Sequence, residues 1–276
     1  MTLKIKIHFC LIILLFLSFQ NVVNAQNGNS TNYKAIYRLT YQPSKVDNFQ
    51  KQEDMLLLIG SDYTKFLSLG KHKKDSLLRN KKNTNSGFSS VLRNLPQTEF
   101  DYVIVNELSK SNIVYKQKVL KDNFSYEENP ELKWEIRNEN KTIAGYVCKK
   151  AKTEYAGREY SAWFTSEIPV SSGPYKFGGL PGLILEISDS EEEYHFKLIN
   201  LKKIKDPIPF YNSSNTVKTE KEVFLKVLKE YEENPFKKME QTGIKINFSD
   251  NSKKTEMLKE HKKKLKEENP IELKTI

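Results

Sequence analysis

The stretch GPYKFGGLPGLILEISD, residues 173–189, decides how this chain reads. Four glycines and two prolines crowd its first ten residues, and an apolar run follows. Pro169, Pro174 and Pro181 fix φ, while glycine admits backbone angles closed to other residues. The chain from Ile168 to Gly182 is therefore expected to follow a stiff, tightly bent path, an elbow. Beyond it Leu180, Leu183, Leu185 and Ile187 re-enter a core. Two readings of the elbow stand side by side. It is a packing corner, or it is the rigid edge of a ligand site, where bare glycine backbone lets a partner approach. On the second reading Trp163, Tyr175, Phe177, Gly179, Pro181 and Gly182 are the candidate ligand-binding residues, bordering an apolar groove. A phosphate cradle is a poor fit. It needs a helix after the glycines, and Leu183 to Ile187 runs into Ser188-Asp189-Ser190, a strand and a turn.

Upstream of the elbow the dominant period is two. YKAIYRLTY, residues 33–41, places Tyr33, Ala35, Tyr37, Leu39 and Tyr41 on one side. DMLLLIGSDYTKFLSL, residues 54–69, reads as a hairpin about Gly60-Ser61. Further strands follow in FDYVIVNEL (100–108), SNIVYKQKVL (111–120), LKWEIR (132–137), IAGYVCKKAKTEY (143–155) and REYSAWFTSEI (158–168). The last two are joined by a turn at Ala156-Gly157-Arg158. Residues 71–97 are polar and irregular and read as a long loop. Short links between successive strands favour an antiparallel meander.

After Asn200 the pattern changes. A proline- and serine-rich connector leads to Thr219-Glu220-Lys221-Glu222, read as a capping box. Val223, Phe224, Val227, Leu228 and Tyr231 then recur at one-face helical spacing, which predicts a helix laid on the sheet and ended by Asn234-Pro235. A second, highly charged helix is expected over 252–268, with Met257, Leu258 and Leu265 as its apolar edge. The fold class is thus mainly β, a β-rich α+β domain. A large curved antiparallel sheet or partial barrel packs against one amphipathic helix and carries a charged C-terminal helix.

Residues 1–25 have the features of a cleaved secretory signal. Lys4 and Lys6 precede an apolar core at 9–19, and Ala25 stands at the expected cut. That core is too short to span a bilayer, so a single exported domain over 26–276 is expected, in the periplasm or in the extracellular or outer-envelope space, with no membrane span after signal removal. Its C-terminal helices begin at about residue 216. Of two cysteines, Cys10 leaves with the signal, so Cys148 can form no internal disulfide; it reads as a buried thiol on a strand. The net charge is +10, yet the lysines are scattered and do not interleave with aromatics. That argues for solvated faces and against nucleic acid as a partner. A basic tail at 253–266 could bind an anionic surface.

Gly179-Leu180-Pro181-Gly182-Leu183-Ile184 resembles the signature of the GLPGLI family, exported proteins found largely in the Bacteroidota. Residues 143–187 are similar to that family's central block, and ENPIELK, residues 268–274, is similar to its usual ending. The resemblance implies export and a β-rich fold, and it carries over no catalytic residue.

A direct search for chemistry finds little. His72, His195 and His261 lack metal-ligand spacing to one another or to Cys148, so no metal or other cofactor is expected. No serine stands in a G-x-S-x-G context. Glu167, Glu186 and Asp189 bracket the elbow and, with His195, are the candidates for an exported hydrolase. The preferred expectation is a non-enzymatic binding or scaffolding protein of the envelope, its partner a hydrophobic ligand, an extended peptide or an envelope protein.

Overall fold

The computed structural model describes residues 32–80, 96–110, 112–205, 216–243 and 250–273. The expected signal and most of the proline- and serine-rich connector lie outside these residues. The first half of the chain forms β1 (Asn32–Tyr41), β2 (Lys51–Ile59), β3 (Tyr63–Ser68), α1 (Leu69–Asn80), β4 (Tyr102–Glu107), β5 (Asn112–Val119) and β6 (Asp122–Glu128). The second forms β7 (Glu135–Ile143), β8 (Tyr146–Tyr155), β9 (Arg158–Thr165), β10 (Leu183–Asp189), β11 (Tyr194–Ile204) and β12 (Thr216–Lys218). Three helices follow, α2 (Lys221–Glu233), α3 (Pro235–Gln241) and α4 (Asn251–Glu267).

All twelve strands join one curved, unclosed sheet in the order β12-β6-β5-β4-β3-β2-β1-β11-β10-β9-β8-β7. Two antiparallel meanders, β1 to β6 and β7 to β11, are zipped together where β1 pairs with β11. Only β12 runs parallel to its neighbour, β6. Ala156 and Gly157 both have positive φ and make the expected tight turn between β8 and β9. At the far border β7 is almost wholly exposed, and its register slips between Ile136 and Asn140.

Period-two alternation sorts the strands' side chains between the two faces of the sheet. Tyr37, Leu39, Met55, Leu57, Phe66, Ile104, Phe164, Ile187 and Phe196 turn to the inner face and form one core. Phe224 of α2 is 1% exposed and lies against Tyr126 and Tyr115, with ring centroids 5.4 and 5.8 Å away. Burying such a ring contributes about 1.5–3 kcal/mol, which anchors α2 over that end of the sheet.

Three local expectations differ. Residues 69–80 are helix, not loop, and Lys71 ties the segment down through Asp101 at 2.7 Å; residues 81–95 lie outside the described set. The N-cap of α2 is Glu220, with no side-chain cap, so the Thr219 capping box does not form. Val223 is 53% exposed, and Leu225 takes its place among the half-buried residues beside Phe224. Asn234 does end α2, but its Oδ1 accepts from Lys237 N at 3.0 Å and caps α3, with Pro235 in the first turn. None of the helices in the described residues is long and apolar enough to cross a membrane.

Candidate functional site

The elbow leaves β9 at Thr165 and returns at Leu183, the residue paired with it. In between, the chain crosses the open inner face. Local hydrogen bonds bend it, Val170 N donating to Ile168 O, Ser172 N to Val170 O and Gly182 N to Leu180 O, and Leu183 N to Ile168 O closes its base. Gly182 has φ +151, and a Cβ there would stand 2.0 Å from Thr165 O. That contact is why the chain can turn back into β10 so closely. Gly179, at φ +88, sits beside the Trp134 ring, whose Nε1 donates to Gly178 O at 2.7 Å. Gly179 N donates to Ser171 Oγ at 3.1 Å. The bent path is therefore locked from both sides.

Between the elbow and the ends of β4 to β6 lies an open cavity of about 460 Å³. Ser61, Asn106, Asn129 and Ser171 give it polar edges, while Pro130, Leu132, Pro169 and Val170 give it apolar walls. The backbone of Gly178 and Gly179 is part of its lining. Among the described residues, neither Asn106 nor Asn129 has a side-chain hydrogen-bond partner, so both amides are available to a ligand.

The six sequence-predicted residues divide. Tyr175 and Phe177 are 6% and 2% exposed and pack in the core, Phe177 against Tyr160 with centroids 4.6 Å apart. Trp163 faces the opposite side of the sheet, half-buried, with Lys141 Nζ 4.4 Å from its ring centroid. The groove expected between these three rings does not form: a bent loop that turns two aromatics inward fills the bowl with them. Gly179 lines the cavity, exposed Pro181 and buried Gly182 shape the return, and Gly182 is closed to any ligand by Thr165.

Below the cavity lies a charged nest for which the sequence offered only faint signals. Lys176, a lining residue, buries its side chain to 1% exposure. Its Nζ meets Glu128 and Glu272, the latter at 2.6 Å, and donates to Tyr126 OH at 3.2 Å. Lys221 of α2 reaches Glu128 Oε2 at 2.9 Å and Glu272 Oε2 at 3.5 Å. Tyr155 and Tyr175 donate their hydroxyls to Glu272 Oε1 at 2.9 and 2.7 Å. Burial alone would raise the Glu272 carboxyl; Lys176, the Tyr175 hydroxyl and Lys221 outweigh it and hold the group at about 2. Burial and the Glu272 charge push the Tyr155 and Tyr175 hydroxyls the other way, far up. Lys176 stood out only by lying between two aromatics, and Glu272 only by belonging to the ENPIELK ending.

The carboxylates considered for hydrolysis go to three places. Glu167 accepts from Val147 N at 2.9 Å. Glu186 lies on the outer face with His195 Nε2 at 3.1 Å and Lys141 Nζ at 3.0 Å. The His195 hydrogen bond, opposed by burial and aided by Lys141, holds Glu186 at about 2. Asp189 points inward and pairs with buried Arg158 at 2.7 Å. Three residues apart on one strand, Glu186 and Asp189 face opposite sides and make no acid–base pair. Among the described residues no three His, Cys, Asp or Glu side chains are grouped to hold a metal.

Comparison with known proteins finds a similar overall fold. Two structures of PNGF-II, in space groups P21 and C2, superpose with TM-scores of 0.53 and 0.54 at 16% sequence identity. The match covers 74% of this chain and 34% of PNGF-II, so the chain spans about a third of the length of that protein. At this identity the likeness is one of fold. No curated protein matches the chain. Residues 39–225, from β1 through the elbow and into α2, match a family different from the one whose signature the elbow hexapeptide resembles. The chain belongs to the family described as "N-glycanase peptide, N-terminal domain".

Proposed function

We propose that this domain is a non-catalytic recognition module that binds a glycan, or a glycan-bearing peptide, in the elbow cavity. The observation that carries the reading is the cavity's lining. A sugar ring presents hydroxyl edges and C–H faces, and the cavity offers two unengaged amides and two serines between proline and leucine walls. Its volume of about 460 Å³ is in the range of small-ligand sites, roughly 300–1,000 Å³. The family description supplies the glycan class. A wholly hydrophobic ligand fits less well, because Tyr175 and Phe177 are spent on the core and Trp163 lies on the other side of the sheet. The hexapeptide with the GLPGLI signature then serves as the frame of the cavity. The domain works in the envelope, after removal of residues 1–25, and presents glycans to other proteins rather than cleaving them. Separation of Glu186 from Asp189 supports that non-catalytic role.

The test is titration calorimetry with free N-glycans and N-glycosylated peptides, alongside an assay for glycan release. Asn106→Ala combined with Asn129→Ala removes two hydrogen-bonding amides from the rim and should weaken binding about fivefold to a hundredfold. Unchanged affinity in the double variant, or binding of no glycan by the unaltered chain, sinks the site. Release of glycan by the purified domain overturns the non-catalytic assignment.

A further inference from the structure

We propose that the charged nest in the bowl is a receptor for a carboxylate on an extended peptide, filled in this chain by its own Glu272. The segment 268–273 lies against the sheet as a bound peptide does. Asn269 N donates to Pro43 O at 3.0 Å, and Leu273 N to Ala156 O at 2.9 Å. Tyr194 OH donates to Asn269 O at 2.7 Å, Arg158 Nη2 to Pro270 O at 3.0 Å and Tyr160 OH to Ile271 O at 3.4 Å. These contacts read backbone, so they hold an extended chain of many sequences. Two side chains set the register: Asn269, whose Oδ1 accepts from Arg158 at 2.7 Å, and Glu272. Pro270 sits where no backbone N–H is used and keeps the peptide extended.

The groups that grip Glu272 do not depend on the segment for their placement. Tyr155 comes from β8, Tyr175 and Lys176 from the elbow, and Lys221 from α2. Three of them converge on the single oxygen Oε1. In the nest Lys176 and Lys221 are balanced by Glu128 and Glu272. Take Glu272 away and one buried positive charge is left over, with two tyrosine hydroxyls aimed at the same point. A buried cation without a partner is costly, so such a nest selects an anion, and its fork of donors selects a carboxylate. The backbone contacts make the ligand a peptide rather than a small acid. Of the segment's apolar side chains Pro270 and Ile271 are half-buried, none is fully buried and Leu273 is 44% exposed, so polar recognition more than apolar packing seats the peptide.

The experiment uses the full chain and two synthetic hexapeptides with the sequence of residues 268–273, one unaltered and one carrying glutamine at the position of Glu272. In the variant Glu272→Gln the chain's own segment loses its charge but keeps its shape. Fluorescence anisotropy should show this variant binding the acidic peptide about tenfold to a hundredfold more tightly than the glutamine peptide, as charge-assisted hydrogen bonds demand. Equal affinities, or no binding by a folded variant, overturn the proposal. A second measurement decides the matter if the variant does not fold. A tethered segment competes at an effective concentration on the order of millimolar. Several millimolar of acidic peptide should therefore displace the native segment in the unaltered chain, read as lost hydrogen-exchange protection at the Asn269 and Leu273 amides. Protection that is unchanged, or lost equally with the glutamine peptide, refutes the receptor.

Discussion

Consider Gly182→Ala. The added methyl would lie 2.0 Å from Thr165 O, 2.6 Å from Thr165 C and 3.0 Å from Ser166 N. All three atoms are backbone at the end of β9, where Thr165 pairs with Leu183, so no side-chain rotation relieves the clash. Overpacking of this kind costs about 1–3 kcal/mol, and a non-glycine residue at φ +151 adds a further ~1–3 kcal/mol of backbone strain. Together that is a large part of the roughly 5–15 kcal/mol that holds a typical domain folded. The melting temperature should fall on the order of 10 °C. Gly179→Ala is the control. Its methyl meets nothing nearer than Trp134 Nε1 at 3.6 Å, so only the left-handed backbone remains, about 1–2 kcal/mol. Urea unfolding followed by tryptophan fluorescence compares the two, and Trp134 beside the elbow reports directly. If Gly182→Ala is no less stable than Gly179→Ala, the close return of the chain at Thr165 is not what shapes the elbow.

Two further outcomes follow from titrating groups. Glu232 on α2 is pushed up to about 7 by burial first and then by the charge of Glu268. A carboxyl raised above its unfolded value of 4.5 stabilises the fold fully below that pH, and the contribution drains away as pH climbs to about 7. Glu232→Gln should therefore raise the melting temperature at pH 8 while changing it little at pH 4.5; an equal shift at both counts against the burial argument. Cys148 is wholly buried, and burial pushes its thiol up to about 11. In native buffer at pH 8 a disulfide reagent should label it only as fast as the protein unfolds, and prompt labelling would contradict the packing around it.

Much of the architecture was legible because a half-buried strand writes its environment into every second residue. Tyr33 to Tyr41 named its own inner face, and the Ala156-Gly157 turn its own hairpin. The elbow was legible for the same local reason, since proline and glycine act on their own backbone. Local signals fail where partners are far apart in the chain. Lys176 and Glu272 are 96 residues apart, and Trp134 and Gly178 are 44 apart. No periodicity links them. The aromatics of the elbow were misplaced for a related reason: Tyr175 and Phe177 turn into the core because rings distant in the chain, Tyr102 and Tyr160, meet them there. Likewise Val223 and Leu225 differ by a small rotation of α2, decided by the Tyr115–Tyr126 platform under Phe224 and not by helical spacing.

An unclosed sheet has two rims, and each rim is an invitation to fibril growth, because unpaired amides and carbonyls can recruit a strand from a neighbour. Here one rim ends in the three-residue β12, too short to template much. The other, β7, carries Glu135, Arg137, Glu139 and Lys141 and breaks its ladder between Ile136 and Asn140. A kinked, charge-studded selvedge of that kind lets the bowl stay open at high local concentration without its molecules stitching together edge to edge.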